Sequence, residues 1–192
     1  MSTTADALSD DADRGASSAA APLRERSRDW FFVVVFAIFA SISFLIDTAN
    51  TVGRPNPHSP NPMARFVYDH MVGIDPVLIA NPRAVQVGVG FVSAMLFGVF
   101  YLVLIYAFVR GREWIRLPAI FIAGMIVMNT GSYLAVGLLG DAPLVALACG
   151  PGSSFDYKSP NALLSIAVNV FYPLVALLLV ARVWREHPFA RR

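Results

Sequence analysis

The chain is 192 residues long, 56% apolar and 12% aromatic, with a mean hydropathy of +0.59 and a formal net charge of +2. This composition fits one compact membrane bundle and excludes a pair of soluble domains. Cys149 is the only cysteine, which excludes an intramolecular disulfide and a cysteine-rich metal site.

Residues 1–22 are rich in Ala, Ser, Asp and Thr and hold hardly any large apolar side chain. They cannot bury enough surface to offset the entropy of ordering, so a disordered cytoplasmic tail is predicted over residues 1–27. Four stretches free of charge follow, at about residues 30–46, 84–109, 117–140 and 159–181. Each spans or nearly spans the ~30 Å hydrocarbon core at ~1.5 Å per residue. Because lipid offers the backbone no hydrogen-bond partner, uncharged runs of this length imply helices. The predicted fold is therefore an all-α integral membrane bundle of four transmembrane helices, at about residues 30–50, 83–109, 117–140 and 160–184. They lie in a membrane domain over residues 28–188, with a basic end at 189–192.

The first span begins at Arg28-Asp29-Trp30, where Trp30 suits the headgroup region. It is longer than the apolar core of a signal peptide and no small-residue cleavage site follows, so it is read as a retained helix. The loop after it is the longest connection, and Pro55, Pro57, Pro60 and Pro62 forbid regular helix through its first half. Beyond them Phe66, Val67, His70, Met71 and Ile74 fall on one side at helical spacing, which predicts a short amphipathic helix on the outer interface or capping the bundle. Asp75-Pro76 reads as N-cap plus first helical residue, and Asn81-Pro82 repeats the device before the second span. Leu117-Pro118 and Ser159-Pro160 place proline at the start of the third and fourth spans. Gly88, Gly90, Ser93, Ala94 and Gly98 give the second span a small-residue face that permits close helix approach and could serve a homodimer.

With the N-terminus inside, eleven arginines fall on inner segments and four basic residues (Arg54, Arg65, Arg83 and Lys158) on outer ones. That asymmetry predicts both termini on the cytoplasmic side. Fourteen arginines against one lysine point to a GC-rich genome, and so to a bacterial plasma membrane. No phosphate-binding loop, metal-spaced histidine cluster or basic nucleic-acid stripe occurs; His58, His70 and His187 all lie outside the spans. Neither a cofactor nor a metal is expected.

The polar residues at membrane depth remain. Asp47 lies ~25 Å along the helix from Trp30, just short of the outer surface. Ionisable groups at such depth either reach water or face a cavity. Asp75 reads either as a helix cap before Pro76 or as a cavity carboxylate, and the two are compatible, since a cap can also line a pocket. Asn129, Ser132 and Tyr133 share one face of the third span, and Ser165, Asn169 and Tyr172 one face of the fourth. These faces are either interhelical hydrogen-bonding contacts or the lining of a shared cavity. Pro173 would kink the fourth span and free carbonyls there, which favours a local opening.

Asp29-Trp30 … Asp47, Asp75-Pro76-Val77-Leu78, Tyr106-Ala107-Phe108 and Trp114-Ile115-Arg116-Leu117-Pro118-Ala119-Ile120 together resemble the EXPERA family. Its members include the sigma-2 receptor and the emopamil-binding protein, a sterol isomerase, and the nearer likeness is to the receptor. The resemblance covers about residues 29–190. It implies four helices with cytoplasmic termini and an apolar pocket open sideways to lipid. It also implies that Asp47 pairs with the amine of cationic ligands, that Asp75 supports it, and that Asn129 takes a polar pocket position, while Asn169-Val170-Phe171-Tyr172 resembles the Asn-containing fourth-helix segment of the isomerase. The isomerase relies on His and Glu in its second and third helices, and here residues 84–109 and 117–140 hold no His, Asp or Glu. The receptor's second-helix glutamate aligns with Val92.

The reading is therefore an intramembrane binding protein for a sterol-like, isoprenoid or cationic amphiphilic lipid. Its expected ligand-binding residues are Asp47, Asp75, Asn129, Tyr133, Asn169 and Tyr172, with no catalytic residue assigned. The alternatives are a double-bond isomerase using Asp47 and Asp75 as acid and base, and a structural or trafficking membrane subunit.

Overall fold

A computed structural model describes residues 20–53, 55–80, 86–139 and 158–190. Four of its helices are long and apolar enough to cross a membrane. The first, α1, runs Asp29–Val52; two short helices follow, α2 (Pro62–Met71) and α3 (Pro76–Ala80). The other spans are α4 (residues 86–110), α5 (Arg116–Leu139) and α6 (Ala162–Val183). The protein is thus an all-helical, multi-pass membrane protein.

The spans pack chiefly as two pairs, α1 along α4 and α5 along α6. On α1 the buried residues Phe32, Val35, Phe36, Phe39, Ala40 and Ser43 form one helical stripe, while Phe31, Val34, Ile38 and Leu45 point outward. Outward apolar faces on every span are what a lipid-facing bundle requires. The α4 stripe is Ala94, Phe97, Tyr101, Leu104, Ala107 and Phe108. Its small residues serve contact within the chain: a β-carbon built on Gly98 would lie 3.1 Å from that of Ser43. The part of the small-residue face around Ala94 and Gly98 is therefore covered by α1 and does not offer itself to a second copy.

The aromatic core fills the half of the bundle nearer Asp29, with Phe36 stacked on Tyr101 and Phe32 and Phe36 against Phe108. That end is closed by the segments that flank α1 and α6. Asp29, 1% exposed, pairs with both Arg26 and Arg182. The two guanidiniums flank the buried Phe189 ring, which also meets Phe108 edge-on. Arg26 donates to the Phe108 and Ala21 carbonyls, and the Ala21 amide donates to Phe189 at 3.0 Å. Gly111, at φ 62°, ends α4 in the left-handed conformation, and a β-carbon there would lie 2.7 Å from that of Ala20.

These contacts correct the tail expected over 1–27. Residues 20–27 are ordered, with a 3₁₀ turn at Leu23–Glu25, because Arg26 holds them to the bundle. Residues 1–19 lie outside the described residues, as do Asn81-Pro82 and the whole of 140–157, Cys149 included. At the other end, Phe189 is core rather than part of a basic end.

Two further corrections concern local structure. The helix expected after the proline-rich loop forms as α2, but its buried face is Ala64 and Val67. Phe66 and His70 lie on the exposed side with their rings in tilted contact, 4.2 Å between centroids. The fourth span starts later than Pro160: Asn161 is its N-cap, accepting from the Leu164 amide at 3.1 Å. The Ser159 hydroxyl instead donates to Ile74 at 2.9 Å, tying the start of α6 to the turn before Asp75.

A candidate intramembrane ligand site

Beyond the aromatic core, toward Asp47, the bundle opens into a cavity of about 340 Å³. All four spans contribute to its wall, and Met71, Asp75 and Leu78 of the α2–α3 segment close part of it. Most of the wall is apolar, including Ile38, Ile42, Ile46, Phe97 and Ile126. Asp47, Asp75, Asn129, Tyr133, Asn169 and Tyr172 all lie on it. Ser132 and Ser165, which share their helix faces, do not line it: Ser132 is exposed, and Ser165 is buried within the chain.

Asp47 sits where α1 departs from α-helical winding. Over Ser43–Asp47 the turn widens to a π-helix, and Asp47 accepts a hydrogen bond of 2.5 Å from the Ser93 hydroxyl. Ser93 itself lies in a wide-turn stretch of α4, Gln86–Phe97. Its neighbour Val92 packs against the apolar core. Such π turns recur at functional sites.

Asp75 caps α3 through the Leu78 amide at 3.1 Å, with Pro76 beside it as the first helical residue. Burial pushes its carboxyl up from the ordinary value, and Tyr133, the Leu78 amide, Asn169 and the Val77 amide pull it partway back. The Tyr133 hydroxyl lies beside Asp75 without completing a hydrogen bond of good geometry, so a buried polar atom on the wall has no full partner. Asn169 also donates to the Ser165 carbonyl at 3.0 Å. Among the described residues no basic side chain pairs with Asp47 or Asp75.

The seam between α1 and α6 borders the cavity. Phe39 stacks on Tyr172 at 4.6 Å and meets Phe171 edge-on at 5.7 Å, while Ile38, Val168 and Phe171 are also exposed on the outer surface. α6 is interrupted at Val170, between Ala162–Asn169 and Phe171–Val183, close to Pro173. Proline has no amide to give the Asn169 carbonyl, which accounts for a break at this depth.

Sequence reasoning did not single out Ser93, Asn50, Thr130, Tyr101 or Phe39 as wall residues. A signal existed for two of them. Ser93 is the one serine or threonine in an apolar span, and Asn50 stands one turn after Asp47 on the same face.

Fold and site together define a class: a four-span membrane protein with a largely apolar intramembrane cavity and two carboxylates on its wall. Residues 62–183 match the EXPERA (EXPanded EBP superfamily) family, well over half of the chain, and the protein belongs to that family. No curated protein matches it.

Proposed function

We propose that the protein binds an apolar, sterol-like, isoprenoid or cationic amphiphilic lipid in this cavity, with Asp47 as polar anchor and Asp75 as its support. The observation that carries the reading is the placement of two carboxylates, without described cationic partners, on the wall of a mostly apolar intramembrane cavity. A carboxylate at membrane depth is costly unless something neutralises or solvates it. The amine of an amphiphile would do so for Asp47, which keeps Ser93 as a second partner. The Tyr133 hydroxyl, with Asn129 and Asn169, offers hydrogen bonds to a neutral polar group. Lateral exchange with lipid across the α1–α6 seam suits an occupant this apolar. This is the receptor-like side of the family, in a chain whose second and third spans hold no His, Asp or Glu.

The test is native mass spectrometry of lipid retained on the purified protein, together with binding of an amphipathic amine. Asp47→Asn should weaken amine binding tenfold or more, each factor of ten being ~1.4 kcal/mol, whereas Asp69→Asn on α2 should leave it unchanged. Equal affinity in the two variants removes Asp47 as anchor. A second reading draws on the same geometry: two carboxylates on one cavity are the minimum for an acid and a base, and so for a double-bond isomerase. The cytoplasmic placement of both termini and residence in a bacterial plasma membrane stand as proposals resting on arginine distribution and composition.

A further inference from the structure

α1 changes its winding where it presents Asp47. At Ser43–Asp47 the backbone bonds reach five residues back instead of four, so the Thr48 amide donates to the Ser43 carbonyl. A π turn holds more residues than an α turn, is rare, and recurs at functional sites. Here the Thr48 hydroxyl donates to that same Ser43 carbonyl, at 3.0 Å. The other back-bonding hydroxyls of α1 provide an internal comparison. Ser41 reaches Ala37 at 2.9 Å and Thr51 reaches Asp47 at 2.6 Å, both four residues back as in ordinary helix. Thr48 alone of the three reaches five, a span that fits the widened turn.

The direction of Asp47 depends on this turn. One residue of α-helix is ~100° of rotation. Returning the turn to α winding would therefore rotate residues 47–52 by roughly that angle relative to the stripe from Phe32 to Ser43. The start of the turn cannot follow, because Ser43 and Phe44 are held against α4 at Gly98. Asp47 would then leave Ser93, whose hydroxyl now lies 2.5 Å away, and turn from the cavity.

We propose that Thr48 is a positioning residue: its hydroxyl holds the π turn that points Asp47 at Ser93 and into the cavity. The inference rests on the reading of Asp47 as the ligand anchor, and its test has one arm that needs no ligand. In full-length protein carrying Cys149→Ser, the pair Asp47→Cys and Ser93→Cys reports whether position 47 faces position 93, through the rate of disulfide formation under mild oxidation. Thr48→Val, which keeps the shape and removes the hydroxyl, should slow that rate about tenfold, the scale of one hydrogen bond. Thr48→Ser should restore it. An unchanged rate in Thr48→Val overturns the proposal, and so does a slowed rate that Thr48→Ser fails to rescue, which would mean a general loosening of the bundle.

The second arm measures binding of N,N-dimethyldodecylamine to the protein with Asp47 intact. Thr48→Val should weaken it about tenfold, Thr48→Ser should not, and in an Asp47→Asn background Thr48→Val should have no further effect. A further loss in that background overturns a role exerted through Asp47. If the amine binds no variant, wild type included, the ligand reading falls, while rescued cross-linking still supports Thr48 as the residue that sets the turn.

Discussion

Asp75 joins two demands that usually separate. As an N-cap it needs an oxygen acceptor at the α3 amides; as a cavity residue it is 7% exposed and its charge is poorly solvated. Burial raises its folded pKa above the unfolded value, so protonation favours the folded state. Its contribution to stability is full below the unfolded pKa and is lost as pH rises through the folded one. Asp75→Asn keeps a capping oxygen and removes the charge. Its unfolding midpoint should therefore exceed wild type at neutral and alkaline pH, and the gap should close as pH falls toward 4. A gap that widens on acidification would contradict the burial argument. Asp75 was legible in the sequence because Asp-Pro before an apolar segment has a local meaning. The Ser93–Asp47 bond was not, since it joins residues 46 apart and only the packing of α1 on α4 brings them together.

The elements were legible to the extent that they are local. A charge-free run long enough to cross the bilayer gives a span whatever its neighbours, and all four spans follow that rule. The face an element buries depends on what lies beside it. Phe66 and His70 fit an apolar stripe on α2, yet the surface beneath admits the smaller Ala64 and Val67 and leaves the two rings outside. The π turn in α1 was equally out of reach, because Thr48 sits in a run whose periodicity does not distinguish five-residue from four-residue back-bonding. Gly98 shows the converse, a small residue whose predicted role in close approach has a measurable clearance. Gly98→Val would push into Ser43 and the Phe44 ring, both already within 3.3 Å of the built β-carbon. Overpacking of this kind costs about 1–3 kcal/mol, so chemical unfolding should shift by that amount. Gly124→Val, with nothing within 4 Å, should shift far less. Equal effects at the two sites would dismiss the close α1–α4 contact.

At the scale of the molecule, orientation and chemistry are separate questions. The described ends of the chain meet at Ala21 and Phe189, so they lie at one end of the bundle, and the arginine asymmetry proposes which side that is. In a Cys149→Ser background, His58→Cys should react with an impermeant thiol reagent added outside intact cells and His187→Cys should not; the reverse pattern inverts the orientation. The chemistry turns on where ionisable groups sit. Shifting a ring double bond requires one group to deliver a proton to carbon and another to remove one, and each positioned group contributes ~10²–10⁴-fold to rate. The described part of the cavity wall holds two carboxylates and no histidine, glutamate or lysine. Asp75 is occupied as a helix cap, and Asp47 is held by Ser93. On the proposed binding reading both serve as fixed polar contacts for a ligand. Purified protein given a sterol with a ring double bond in heavy water should therefore neither move that bond nor take up deuterium on carbon. Turnover lost in Asp47→Asn or Asp75→Asn would establish the isomerase reading in its place. Turnover indifferent to both substitutions would trace to a contaminating enzyme and leave the binding reading intact.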